Sequence, residues 1–241
     1  MSAVVHNSLA VEPQRPSAPA IEPLESGDLL SAREFLRRYE AMPHVKKAEL
    51  IEGVVYMGSP VRIKQHGKPD FLIQTWLGHY SANTPGTEGA TNTTVRFDTD
   101  NVPQPDALLR LLPECGGRST IDDDGYLVGP PELAVEVAAS RVSIELRDKL
   151  RAYRRVGVQE YLIWRTVEKQ FDWLALEQDE YRPILPDEKM ILRSRVFPGL
   201  CLDVEAALAL NAAQVLDTLQ ASLGTPAHTE FVARLKAAAN L

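Results

Sequence analysis

Cysteine is nearly missing from this chain of 241 residues, with Cys115 and Cys201 as the two examples. They lie far apart and form no C-x-x-C pair, so neither a zinc knuckle nor a disulfide framework follows. A reducing cytosol is then the default compartment. Long apolar runs are also missing: none approaches the ~18 consecutive residues that a membrane span needs. The first ten residues lack both a cationic start and an apolar core, so no secretory signal is expected. There is no glycine-rich phosphate loop and no serine nucleophile elbow. Positive charge is short, with 26 Lys and Arg against 33 Asp and Glu, a net charge of −7. Phosphate neutralisation needs a basic surface, so bulk charge weighs against nucleic-acid binding unless a local patch supplies it.

Apolar residues make up 44% of the chain, enough for one sizeable core. Residues 1–28 carry Pro13, Pro16, Pro19 and Pro23 without a periodic apolar face, and read as a disordered leader. Ser31-Ala32-Arg33-Glu34 has capping-box spacing and opens a helix to about Glu40. Glu49 to Tyr56 reads as two short strands around Gly53. Pro60 to Gly67 is a connection, and Pro69 suits the first turn of a helix to about Ser81. Asn83 to Gly89 reads as a loop and Thr93 to Phe97 as a strand. Pro105 to Leu112 and Leu133 to Ala139 look like central strands. Asp122 to Gly125 is a polar turn between them. Ser143 to Val156 is helical and stops at Gly157. Gln159 to Trp164 is the next strand, and Phe171 to Pro183 a peripheral hairpin. Asp203 to Leu223 reads as one helix, and Thr229 to Ala239 as a weakly anchored final one. The order predicts an α/β protein, a mixed sheet flanked by helices. Its main domain spans 29–208, and 209–241 forms a helical extension.

Two acids interrupt the central strands, where an unpaired carboxylate is costly. Glu136 alternates with Ala134 and Ala138 on one strand face, leaving room above it. Asp106 follows Pro105, at a strand start or bulge that can re-aim a side chain. A shared divalent cation removes the cost of burying both, whereas a structural ion pair would also do so. On the following helix, Leu150 and Tyr153 lie within about 40° of Leu146, and Lys149 within about 60°. Lys149 can snorkel outward or reach over the sheet to Glu136. The four arginines of that helix, Arg147, Arg151, Arg154 and Arg155, form either a phosphate-contacting patch or a solvated face. Glu49 and Glu52 are further candidate metal ligands, with Glu52 placed in the turn. His66 is a structural residue or one that meets a phosphate or base edge.

At these residues the chain resembles the Uma-two family of bacterial endonucleases, which has a restriction-endonuclease-like fold. The matching segments are Glu49-Leu50-Ile51-Glu52-Gly53, Met57-Gly58-Ser59-Pro60 ahead of His66, Pro105-Asp106 and Pro130 through Ser140. They continue with Asp148-Lys149-Leu150-Arg151-Ala152-Tyr153, Gly157 through Trp164, and Phe197-Pro198-Gly199-Leu200. Coverage runs from about Leu30 to Leu208. The resemblance implies a PD-(D/E)XK nuclease core with Asp106 and Glu136 as its metal-binding acids. Ala138 stands where the commoner pattern has lysine, and Lys149 is the matching residue on the next helix. Arg165 stands where the family often has an acid.

The reading that follows is a Mg²⁺-dependent endonuclease (Mn²⁺ as a substitute) cleaving phosphodiester bonds in DNA in the cytoplasm. Asp106, Glu136 and the Val137 carbonyl would ligate the ion, with Glu49 as a further ligand. Lys149 would position or deprotonate the attacking water. His66, Arg147 and Arg151 are the residues expected to meet nucleic acid. A homodimer follows by analogy, since two cuts need two sites. The rival readings are a non-catalytic interaction protein on a nuclease-like scaffold and a hydrolase of small phosphate esters.

Overall fold

The computed structural model describes residues 21–138 and 144–239, so the first twenty residues of the leader and the start of the Ser143 helix lie outside it. Helix α1 covers Ala32–Glu40, and Ser31 accepts the N–H of Glu34 as its cap. Strands β1 (Ala48–Ile51) and β2 (Val54–Met57) form an antiparallel hairpin. Its two-residue turn has Glu52 at φ 51° and Gly53 at φ 76°, the positive pair that a type I′ turn requires. One π turn, Ile63–Gly67, then leads into helix α2, Lys68–Ala82.

Strands β3 (Thr87–Thr91), β4 (Val95–Arg96) and β5 (Ala107–Leu111) follow. The short β6 (Thr120–Ile121) and β7 (Leu127–Val128) flank the Asp122–Gly125 turn and pair with β4 in a small three-stranded sheet. Strand β8 (Leu133–Ala138), helix α3 (Ile144–Val156) and strand β9 (Glu160–Arg165) complete the centre. The hairpin β10 (Gln170–Glu177) and β11 (Glu180–Pro183) extends the sheet. The main sheet runs β11-β10-β9-β8-β5-β3, with β8 and β9 parallel and all other pairs antiparallel. This is the expected mixed sheet.

Alternation along β8 divides the two faces. Leu133, Val135 and Val137 join Trp76, Leu162, Trp164 and Trp173 in the larger core beneath α2. Ala134 packs on the other side with Tyr153, Tyr161 and Ile163, under α3. The alanines of this face let α3 approach closely, which is what brings a helix residue to Glu136.

Several segments differ from the sequence reading. Thr87–Thr91, read largely as loop, is an edge strand; its polar, glycine-containing sequence is tolerated because only one neighbour pairs with it. Strands β12 (Ile191–Arg193) and β13 (Cys201–Asp203) form a hairpin that short apolar runs did not announce. The expected helix from Asp203 to Leu223 is two, α4 (Val204–Leu208) and α5 (Ala212–Leu223). Leu210 breaks it at φ 55°, and Asn211 caps the second by accepting the N–H of Gln214. Helix α6, Pro226–Ala239, is firmly anchored rather than weakly so. Phe231 and Leu235 enter the larger core, and His228 is buried between Thr84 Oγ1 at 2.9 Å and the Leu223 carbonyl at 2.8 Å. Residues 21–28 also join the fold: Leu24 is buried and Gly27 donates its N–H to Val55.

Candidate active site

Strands β1 and β8 and the residue just before β5 each deliver one buried acid to the α3 side of the sheet. In β1 the AELI run is buried throughout, Glu49 included. β1 lies against the connection into β5, with Leu50 and Val102 exchanging N–H bonds to each other's carbonyls. Glu49 Oε1 therefore accepts the Gln104 N–H at 2.6 Å. Two residues on, Asp106 leads into β5. Ala107 pairs with Val135 across the antiparallel ladder, so Asp106 and Glu136 are opposite neighbours on one face. The Val137 N–H donates to Asp106 Oδ2 at 2.8 Å. A strand residue sends its N–H and C=O to the same side, so the Val137 carbonyl leaves toward that edge as well.

The amines come from two places. Lys149, on α3, is almost wholly buried. Its Nζ lies 2.8 Å from Glu49 Oε2 and 3.0 Å from Glu136 Oε1. Tyr153, one turn further, donates its hydroxyl to the same Glu136 oxygen at 3.2 Å. Lys47, just before β1, donates to Asp106 Oδ1 at 2.7 Å. His66, in the π turn, lies 3.3 Å from Asp106 Oδ2. Sequence reasoning missed Lys47 because Lys46-Lys47 resembles a solvated run. The usable signal was strand alternation, which puts residue 47 on the same side as Glu49.

These neighbours pull the acids apart in strength. Burial alone would raise Asp106, but the His66 hydrogen bond and Lys47 outweigh it and hold the carboxyl well below its usual range. Burial dominates at Glu136; Lys149 offsets it in part while Asp106 and Glu49 add to it, and the group is pushed up to about 7. Burial opposes charge on Lys47, yet Glu136, Asp106 and Glu49 raise it. His66 is raised chiefly by its bond to Asp106.

Three carboxyl groups thus face two lysine amines, with the His66 ring beside Asp106. Among the described residues, no three His, Cys, Asp or Glu side chains form a ready ligand cage, because lysine amines stand between the acids. The donor chemistry still fits a hard dication. The side-chain ligands are all carboxylate oxygens, and among the described residues the hydrogen bonds to Glu136 fall on Oε1.

The remaining sequence candidates are spread around this centre. Arg147 is exposed on α3. Arg151 is exposed and paired with Asp148, which also accepts the Tyr56 hydroxyl at 3.1 Å. Arg155 is held by Glu52 at 2.8 Å and Asp98 at 3.3 Å. Acids therefore engage half of the four-arginine patch. Glu52 sits in the hairpin turn, away from the lysines.

A family model described as "Uma2: Putative restriction endonuclease" matches residues 32–205. Among solved structures, the chain is similar to one titled a putative nuclease belonging to DUF820 from Anabaena variabilis. The TM-score is 0.58 at 12% identity, covering 73% of this chain and 97% of the other. A search among curated proteins finds no significant match.

Proposed function

Because the chain belongs to the Uma2 family, we propose that it is a Mg²⁺-dependent nuclease that hydrolyses phosphodiester bonds in DNA. The observation that carries this reading is the convergence of Glu49, Asp106 and Glu136, with buried Lys149 bridging Glu49 and Glu136 and Lys47 paired with Asp106. Asp106, Glu136 and the Val137 carbonyl would hold Mg²⁺ or Mn²⁺, with Glu49 as a further ligand. The bound ion would supply Lewis-acid polarisation of the phosphate and a more acidic bound water.

The chain's own groups set the geometry. Lys149 fixes Glu49 and Glu136 at one spacing, and Tyr153 holds the Glu136 carboxylate in one rotamer. His66 and Lys47 hold Asp106 ionised and oriented. In the reaction a water oxygen bonds to phosphorus and gives its proton to solvent. The bond to the leaving ester oxygen breaks, its electron pair goes to that oxygen, and solvent protonates it. Arg147 and Arg151 on α3, and His66 beside the acids, are the groups placed to meet the polyanion. Two such sites in a homodimer would cut both strands of a duplex, which analytical ultracentrifugation can test.

The experiment is plasmid cleavage with Mg²⁺ or Mn²⁺, comparing the native chain with Asp106→Ala and Glu136→Ala. Cleavage that survives in both variants ends the assignment. A second reading, a non-catalytic interaction protein on the same scaffold, is favoured by the net charge of −7 and the amines that already occupy the acids. Calorimetry separates the two, since no Mg²⁺ binding near millimolar concentration favours the scaffold.

A further inference from the structure

The site holds two lysines, and their surroundings differ in kind. The Lys149 side chain is 1% exposed and its amine is set between two carboxylates, Glu49 and Glu136. At that burial a substrate phosphate has no open approach to it. The Lys47 side chain is 29% exposed, and its amine has one carboxylate partner, Asp106 Oδ1 at 2.7 Å. An ammonium carries three N–H donors, so two of Lys47's have no acceptor among the described residues. Its stem is held in place as well. The Gly58 N–H donates to the Lys47 carbonyl at 3.0 Å. A Cβ at position 58 would come within 3.1 Å of Lys47 Cβ and 3.2 Å of its carbonyl oxygen. A side chain at position 58 would therefore press on the Lys47 stem unless one of them shifted by a few tenths of an ångström.

We infer that Lys47, not Lys149, is the lysine that contacts the scissile phosphate, and that Lys149 is a positioning residue for Glu49 and Glu136. This rests on the nuclease reading above. Lys47 keeps its proton throughout the reaction. Its N–H groups donate to a non-bridging phosphate oxygen and offset the negative charge that builds there as the water oxygen bonds to phosphorus. Its bond to Asp106 ties that oxygen to the proposed metal side of the site. The geometry is that of a preorganised donor aimed at developing charge, for which loss of one donor costs about 100-fold in rate or more.

The test uses the full chain and a short DNA duplex. Binding is followed by fluorescence anisotropy in EDTA across a roughly fourfold range of KCl. Lys47→Met is expected to reduce the salt slope by about one unit, the signature of one lost phosphate contact. It should also lower Mg²⁺-dependent cleavage about 100-fold. Lys149→Met is expected to leave the slope unchanged while weakening Mg²⁺ binding by calorimetry. Lys47→Gln, which can still donate to Asp106 but carries no charge, gives the same slope change should Lys47→Met not fold. A native chain that cleaves DNA, with an unchanged slope in both Lys47 variants, overturns the inference and leaves the nuclease reading standing. A native chain that neither binds nor cleaves the duplex overturns both. A slope that falls with Lys149→Met instead assigns the contact to Lys149 and also overturns it.

Discussion

Glu132 and Glu136 are four residues apart on the same side of one stretch of chain, at the entry and near the exit of β8, and both are buried. Their partners differ. Glu132 accepts backbone N–H groups from Leu111 at 2.7 Å and Arg118 at 3.4 Å, with the exposed Arg118 guanidinium at 4.0 Å as a looser partner. Beside it, Glu160 at the start of β9 accepts from Trp173 Nε1, Ser194 Oγ and the N–H groups of Arg195 and Val196, between 2.6 and 3.1 Å. Glu136 instead meets the ammonium of Lys149 and a tyrosine hydroxyl. Fixed backbone dipoles bind an acid permanently and tie loops to the sheet. A side-chain ammonium is not part of the sheet backbone, so the carboxylate it holds keeps the capacity to take another cation. One end of the β8–β9 pair is scaffold and the other is the proposed active site.

The sharpest way to break that contrast is activity. Asp106→Ala and Glu136→Ala are expected to lower plasmid cleavage by more than about 100-fold, beyond the range for an outer partner. Glu132→Gln should cleave within a few-fold of the native chain. Equal losses in all three would erase the distinction.

Stability comes next. Lys149→Met leaves Glu49 and Glu136 buried without their cation, and a loss of about 3–5 kcal/mol is expected in urea unfolding. A change below about 1 kcal/mol would mean that water already reaches those acids. Glu160→Ala strands the N–H groups of Arg195 and Val196, for a loss of about 2–3 kcal/mol with cleavage retained well below the melting temperature. Cleavage lost in that folded variant would move Glu160 into the site.

A smaller effect follows from pH. Glu136 is raised from an ordinary 4.5 to about 7 in the folded chain, so the folded state holds its proton more tightly. That stabilisation is complete below pH 4.5 and is lost as pH rises through about 7. His66 is also raised and acts in the same direction. Thermal melts without metal should fall across this window. Added Mg²⁺ should stabilise most at its upper end, where the carboxylate is ionised. A metal effect equal at both ends would contradict a role for Glu136 as ligand. At the far edge of the sheet, Arg182→Ala removes an exposed pair with Glu180, and a change within about 0.5 kcal/mol is expected in the same melts.

Local signals in the chain were legible where one element settles its own geometry. Ser31 capped the first helix as its spacing implied, and Glu52-Gly53 made the turn, with Gly53 taking positive φ at no steric cost. The alternation of β8 put Glu136 between two alanines on the α3 side, and the wheel of α3 brought Lys149 to the edge of its core face. What could not be read were features decided by distant partners. Strand β3 is polar and forms because β5 offers it an edge. Helix α6 is anchored because Thr84 and the end of α5 supply the partners of His228. Lys47 went unread because its partner, Asp106, lies far along the chain.

The order of residues therefore specified the strand faces, the caps and turns, and which acids would be buried, since each depends on periodicity or on a few neighbouring side chains. Folding decided which cation serves which acid. Lys149 reaches Glu49 across 100 positions of chain and Lys47 reaches Asp106 across 59, and only the crossing of the β1–β2 hairpin over the sheet brings those groups within hydrogen-bond range.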